Sequence, residues 1–332
     1  MCKHAEDSGV PKKTIAVCII SYNQRAYLVE AIESVLAQTR MPDQIIVIDD
    51  ASSDDTAEVL QSYQRQYPTL FTIKINAVNQ GNGTNRHLGV LESRCDLTTC
   101  LDGDDLYYPD KLKLEEQHLA ENPDAGFVYS NFNLIDSAGE LIRPWATNPE
   151  EIPVGNVFES LIAFEFPRGI QCRCPLANTR ALIEATKHAK GFILYEDFIV
   201  VMHLSRSMNA VAVNQTNHGY RLHSRCIHRS HHEGHSNVLE RIYIQNKALF
   251  ESLSPTDRAR IERKFRHILS QYAWRAVRDH AKQPSIESKN QVIRLAKRAM
   301  HHEPLALRPK HVVRVLATQL RSPKYPAATI SN

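Results

Sequence analysis

The chain has 332 residues, 42% of them hydrophobic, with a formal net charge of +3, so it can bury one large core or two smaller ones, and its composition argues against a disordered chain. No apolar run approaches the roughly 20 residues that cross a bilayer, and the opening MCKHAEDSGVPKK lacks the apolar stretch of a secretory signal. Seven scattered cysteines without a CxxC pair argue against a disulfide framework or a cysteine zinc site, so the expectation is a reducing, cytoplasmic setting.

Charge divides the chain. Residues 238–332 carry 19 Lys and Arg against 7 Asp and Glu, whereas residues 1–237 carry 21 against 30. An acidic front and a basic tail predict two organisational units. The expected division is a flexible N-terminus over 1–13, an α/β domain over 14–236 and a basic helical extension over 237–332.

In chain order, TIAVCII (14–20) is a β-branched apolar run and predicts a buried strand. A polar turn, SYNQ, follows. Leu28, Ala31, Ile32, Val35 and Leu36 then share one helical face. QIIVIDD predicts a second strand ending at Asp49 and Asp50, and SSDDTAEVLQSYQRQY a helix with Ser53 or Asp54 as its N-cap. LFTIKIN is a third strand, NQGNGTNRHLGVLES a Gly/Asn-rich loop entering a helix, and DLTTCLDGDD a fourth strand with an acidic end. Near-continuous apolar strands alternating with helices predict a parallel sheet covered on both faces. Ligands of such sheets bind outside the carboxyl ends of the strands, so SYNQ, DDASSDD and DGDD should line one site. After Pro123, AGFVYSNFNLIDSAGELI reads as a strand pair, LYEDFIVVMHLSRS as an acidic turn entering a helix and NAVAVNQTNHGYRLH as a strand. Beyond Asn237 the sequence reads as mostly helical, with breaks near Pro255, Pro284, Pro304 and Pro309.

The stretch CLDGDDLYYPDKL places Asp102, Asp104 and Asp105 at a strand end, with Gly103 permitting close backbone approach. Adjacent carboxylates disfavour one another's ionised form. A divalent cation relieves this: Mg²⁺ and Mn²⁺ take oxygen ligands and are held by one or two carboxylates plus substrate phosphates. Taken alone, the cluster could equally be a solvated loop capping the next helix. Asp49 and Asp50 likewise fit a metal-binding phosphoacceptor pair, an acceptor for base or ribose hydrogen bonds, or a helix cap.

Together the ordered motifs CIISYNQRAYLVEAIESVLAQT, QIIVIDDASSDDT, NQGNGTNRHLG and CLDGDDLYYPDKL resemble the family-2 glycosyltransferases, inverting enzymes of the GT-A fold, over about Thr14 to His223. The resemblance implies a single nucleotide-binding α/β domain with a mixed, mostly parallel central sheet, followed here by a helical extension. It implies a nucleotide-binding turn at Ser21, Tyr22 and Asn23, a base-binding acid at Asp50 with Asp49 beside it, and a diphosphate-facing loop carrying Asn79, Gly81 and Arg86. Many relatives have Asn after that arginine, where this chain has His87. DGDD matches the family's DxD motif: Asp102 and Gly103 toward the ribose, Asp104 toward the metal, Asp105 in support. YEDF resembles the ED motif, giving Asp197 as catalytic base with Glu196 beside it. YRLHSR resembles a late segment in which Arg221 meets phosphate and His223 meets the metal or diphosphate.

These matches imply a metal-dependent transfer, with Mn²⁺ or Mg²⁺, from a nucleoside diphosphate sugar, a UDP-sugar foremost, to a hydroxyl of a glycan, lipid-linked or other acceptor in cell-surface polysaccharide or glycoconjugate synthesis. Asp197 would deprotonate the acceptor as its oxygen attacks the anomeric carbon, through a transition state of oxocarbenium character. The histidines of SRCIHRSHHEGH (His228, His231, His232, His235) read as a basic loop able to close over a diphosphate; they lack an HExxH zinc pattern. Cys172 and Cys174, in GIQCRCPLAN, read as small apolar residues near the acceptor side. The basic tail reads either as a packed helical appendage or as a peripheral contact for anionic lipid or polymer; without aromatic interleaving it does not read as a nucleic-acid surface. Two other classes remain at this point. A sugar nucleotidyltransferase needs a Gly-rich basic loop directly after the first strand, which SYNQRAY is not, and an inactive nucleotide-sugar-binding module has no need of intact Asp102, Asp104 and Asp197.

Overall fold

The structure, a computed structural model, describes residues 12–169, 172–224, 226, 232–280 and 294. The chain forms two compact units, Met1–Ser224 and Arg225–Asn332.

In the first unit, β1 (Ile15–Ser21) and β2 (Gln44–Asp49) are buried along their whole length. They lie beside β3 (Phe71–Ile75) and β4 (Leu97–Asp102), and all four run parallel in the order β3-β2-β1-β4. This is the layer that continuous apolar runs predict. β3 departs from that expectation: it is the edge strand, and Lys74 and Ile75 are exposed. The helix α1 (Arg25–Leu36) buries Leu28, Ala31, Ile32 and Val35, the i, i+3, i+4, i+7 stripe facing the sheet. The next helix, α2 (Thr56–Gln66), starts later than expected; Asp54, not Ser53, accepts the Thr56 N–H, at 3.2 Å. α3 (Asn82–Leu91) presses closely on β1, because a Cβ at Gly89 would stand 2.0 Å from Cys18 Sγ.

The second half of the sheet is mixed. β5 (Leu106–Tyr107), α4 (Lys111–Glu121), β6 (Ala125–Ile135) and β7 (Leu141–Pro144) precede the short α5 (Phe158–Ile162). They are followed by β8 (Leu176–Asn178), α6 (Thr179–Lys187), α7 (Glu196–Ser205) and β9 (Asn209–Arg221). β8 is antiparallel to both β4 and β6, joining the parallel half to the rest, and β6 pairs parallel with β9. The result is a nine-stranded sheet in the order β3-β2-β1-β4-β8-β6-β9-β5, with β7 on β6. A fully buried pair, Lys111 and Glu115 one turn apart on α4, sits beneath this half. Lys111 also donates to the Cys174 carbonyl at 3.2 Å and lies over the Tyr107 ring, while the Ser130 hydroxyl donates to Glu115. Burial pushes the Glu115 carboxyl up despite Lys111.

The second unit contains α8 (His232–Gln245), α9 (Lys247–Glu251) and α10 (Pro255–His280). Leu239, Ile242, Leu249, Phe250, Ile261, Phe265 and Leu269 form its buried seam. His232 and His235 are therefore on a helix rather than in a loop, and His235 stacks on Tyr272. His228 and His231, and the breaks expected near Pro284, Pro304 and Pro309, lie outside the described residues. Among the described residues no helix is long and apolar enough to cross a membrane.

Candidate active site

β1 is the axis of the site. Its last residues pair with both neighbours: Ser21 lies opposite Asp49 on β2, and Ile20 opposite Asp102 on β4. Parallel register thus delivers two acidic strand ends to one rim, which is why acids at the ends of separate apolar runs converge.

On the β2 side the turns interlock. Asn23, at φ +50°, accepts the Ser53 N–H at 2.7 Å, and the Asn23 N–H donates to Ser52 Oγ at 2.8 Å. Asp49 accepts the Ser52 N–H at 3.0 Å and its hydroxyl. Asp50 is buried and anchors the following loop, accepting from the Gln80 and Gly81 N–H groups at 2.7 and 2.9 Å and from Asn76 at 3.0 Å. An ionised carboxylate has about four acceptor positions, so these three bonds leave one. Gly81, at φ +82°, suits the loop because its N–H must reach Asp50 in a backbone conformation that other residues avoid. Asn79 and Tyr22 are exposed at the rim.

On the β4 side the chain turns at Gly103, whose N–H donates to the Ile20 carbonyl at 2.8 Å. Arg86, buried on α3, reaches Asp102 at 2.8 Å and Glu196, at the start of α7, at 3.4 Å. Burial opposes ionisation of Asp102, but Arg86 and a second guanidinium, that of Arg173, outweigh it and hold the carboxyl below its usual range. Arg173 pairs with Asp102, with Asp105 at 3.4 Å and with Asp197 at 2.9 Å, and lies over the Tyr220 ring at 4.2 Å. Glu196 is pushed up to about 7, first by burial and then by Asp197. Asp105 is fully buried and pushed well above the usual carboxylate range by burial, with Asp104 and Asp102 adding to it.

Asp104 Oδ2 faces His223 Nε2 at 2.9 Å, and His223 packs on the Tyr27 ring. Two expected ligands are occupied elsewhere. Asp105 accepts the Arg221 backbone N–H at 2.8 Å as well as Arg173, so it braces the loop instead of offering a free oxygen. Arg221, expected against phosphate, is buried over Tyr27 and donates to the Asp104 carbonyl, the Ser137 carbonyl and Glu30. His87 is also internal: it meets Thr186 of α6 at 3.0 Å, and burial keeps its imidazole neutral-favouring. The structure thus joins Arg86, Asp102, Asp105, Glu196 and Asp197 in one charged network, with Asp104 and His223 adjoining through the DGDD turn. Arg173 is the residue that sequence reading missed; a lone Arg between two buried cysteines was its only local sign.

Residues 16–177 match the profile described as Glycosyl transferase family 2. This stretch is a glycosyl transferase family 2 domain. The family-2 domain is 31% identical over 150 residues to an uncharacterized glycosyltransferase of Rickettsia felis, covering 45% of this chain and 23% of that protein. It is 37% identical over 133 residues to one of Nostoc, covering 40% and 41% respectively. The chain therefore spans about a quarter to two fifths of these relatives' length. Among solved structures, it is similar to S. aureus TarS 1-349 in complex with UDP-GlcNAc, with TM-score 0.59, 14% identity, and coverage of 92% of this chain and 88% of that one. It is also similar to a mannosyltransferase of Pyrobaculum calidifontis in complex with GDP-Man and Mn2+, with TM-score 0.54, 14% identity and coverage of 93% and 88%. These likenesses place the family-2 domain in the GT-A fold.

Proposed function

We propose that this family-2 domain moves a sugar, with inversion, from a nucleoside diphosphate sugar to an acceptor hydroxyl. One observation carries the reading: a single guanidinium, Arg173, bridges the DxD acid Asp102 and the ED acid Asp197, so donor-side and base-side groups share one rim.

Asp197 takes the acceptor's hydroxyl proton. The freed oxygen bonds to the anomeric carbon from the face opposite the diphosphate, and the carbon–oxygen bond to the diphosphate breaks, releasing the nucleoside diphosphate. Glu196, pushed up to about 7, holds its proton more readily than an ordinary glutamate, which reduces like-charge repulsion beside Asp197. Asp104 and His223 suit a divalent cation: one carboxylate oxygen and one imidazole nitrogen 2.9 Å apart, leaving other positions for phosphate oxygens and water. When bound, Mn²⁺ or Mg²⁺ supplies Lewis-acid stabilisation of the departing diphosphate. UDP-GlcNAc on one structural neighbour and GDP-Man with Mn2+ on another make UDP- and GDP-sugars the donors to test, a UDP-sugar first. The acceptor is a hydroxyl of a glycan or lipid-linked saccharide in glycoconjugate synthesis on the cytoplasmic side. The exposed Arg263 and Arg266 of α10 offer a surface for anionic lipid headgroups, each worth about 1 kcal/mol near a membrane.

The test is nucleotide release from a donor panel of UDP-GlcNAc, UDP-glucose, UDP-galactose and GDP-mannose with Mn²⁺. Asp197→Asn is expected to lose turnover about 10²–10⁴-fold while the donor still raises its melting temperature. Normal turnover by that variant would remove Asp197 from the base role.

A further inference from the structure

We infer that Arg173 is a positioning residue for the transfer reaction, holding Asp197 in register with the donor-side acid Asp102. The inference rests on the base role proposed for Asp197. Its grounds are geometric. One guanidinium nitrogen, Nη1, donates to Asp197 at 2.9 Å, while the other, Nη2, serves Asp102 and, at 3.4 Å, Asp105. A planar fork of this kind fixes direction as well as distance, which an ammonium cannot do. The plane itself is set by Tyr220, whose ring lies 4.2 Å from the guanidinium carbon.

The backbone behind Arg173 is equally constrained. Cys174 is held at φ +49°, a conformation most side chains avoid. Its carbonyl accepts from Thr99 Oγ1 at 2.9 Å and from the fully buried Lys111 Nζ at 3.2 Å. Cys172 and Cys174 are buried on either side. A strained residue over-determined by its surroundings persists where its neighbour must be aimed. The buried Lys111–Glu115 pair beneath the sheet thereby acquires a purpose beyond packing: it pins the carbonyl next to the arginine.

The two carboxylates depend on Arg173 unequally. Asp102 keeps Arg86 at 2.8 Å if Arg173 is removed. Asp197 keeps only the Phe198 N–H of its own helix, at 2.7 Å, because among the described residues Arg173 is the cation paired with it. Loss of Arg173 should therefore fall on proton removal and spare donor binding.

The experiment measures donor kcat and KM by UDP or GDP release from the same panel with Mn²⁺, using the full chain. The variants are Arg173→Gln, Arg173→Lys, Asp197→Asn and the Arg173→Gln/Asp197→Asn double. Arg173→Gln is expected to lower kcat roughly 10- to 100-fold, the worth of a charge-assisted hydrogen bond, with donor KM within about threefold of wild type. Added guanidinium should restore part of the loss. Arg173→Lys should recover only part, since one ammonium cannot span both carboxylates. The double variant should be no slower than Asp197→Asn. If Arg173→Gln does not fold, as read from its melting transition, the Arg173→Lys kcat alone decides: a wild-type value overturns the inference. Unchanged kcat in Arg173→Gln, a raised KM with kcat intact, or a double variant slower than Asp197→Asn by the full single-variant factor would also overturn it. Failure of the base reading itself is distinct, since Asp197→Asn would then turn over normally.

Discussion

Glu196→Gln should stabilise the first unit increasingly as pH rises. Glu196 is 7% exposed at the first turn of α7, and burial followed by Asp197 pushes its carboxyl from an ordinary 4.5 up to about 7. The unfolded chain releases this proton near pH 4.5, whereas the folded chain keeps it to about pH 7. Between those values the folded state binds more protons, so stability falls as pH rises. Below pH 4.5 both states are protonated and the penalty vanishes; above about pH 7 it is constant. At 1.36 kcal/mol per tenfold change in proton affinity, the penalty at neutrality is about 3 kcal/mol. Glutamine is neutral at every pH and escapes it, while Arg86 retains Asp102 at 2.8 Å. For a unit of this size, about 3 kcal/mol corresponds to roughly 6–12 °C in melting temperature. Calorimetry of wild type and Glu196→Gln at pH 5, 6, 7 and 8 should show a gap that is small at pH 5 and widens to pH 7. A gap independent of pH, or one that narrows as pH rises, would refute the reasoning.

Further substitutions probe other parts of the site. Gly103→Ala places a Cβ 2.8 Å from the Ile20 carbonyl oxygen and 2.9 Å from Gln24 Nε2; overpacking against backbone costs about 1–3 kcal/mol, and a melting temperature within 1 °C of wild type would contradict this. Lys111→Met leaves Glu115 buried without its cation and should cost about 3–5 kcal/mol in urea unfolding, while the Lys111→Met/Glu115→Leu double should recover most of it. A single variant as stable as wild type would show the pair to be dispensable. Asp104→Asn and His223→Ala should each weaken Mn²⁺ binding about 10-fold or more, read as free Mn²⁺ by electron paramagnetic resonance with UDP present; unchanged affinity would place the cation elsewhere.

The parallel half of the fold was legible because its signals are local. Apolar runs give β1 and β2, the buried stretch before DGDD gives β4, and the spacing of Leu28, Ala31, Ile32 and Val35 gives α1. The acidic ends were readable for the same reason, and parallel register then brings them together. What escaped notice depends on distant partners. β5 and β8 have two and three residues, too short for any periodicity, and they exist because longer strands pair with them. α6 did carry a sign, Asn178 accepting the Arg180 and Ala181 N–H groups as N-cap, in a stretch where no family motif drew the eye. Arg173 has partners at 102, 105 and 197, separations that no sequence pattern encodes. Arg221 shows the converse: a motif match implied a ligand contact, yet tertiary packing spends all three of its nitrogens on the protein.

The approach of α3 to β1 at Gly89 works as a spacing gauge for the chemistry above it. Arg86 sits one turn earlier on the same rigid helix, so the hydrogen atom at position 89 sets how deep that guanidinium rides over Asp102. Bulk added at either Gly89 or Cys18, whether by substitution or by oxidation of the thiol, would lift the helix and loosen a charge contact it never touches. An internal packing detail in this way governs electrostatics at the rim, and the tolerance for change at these two positions is set by the charged cluster above them.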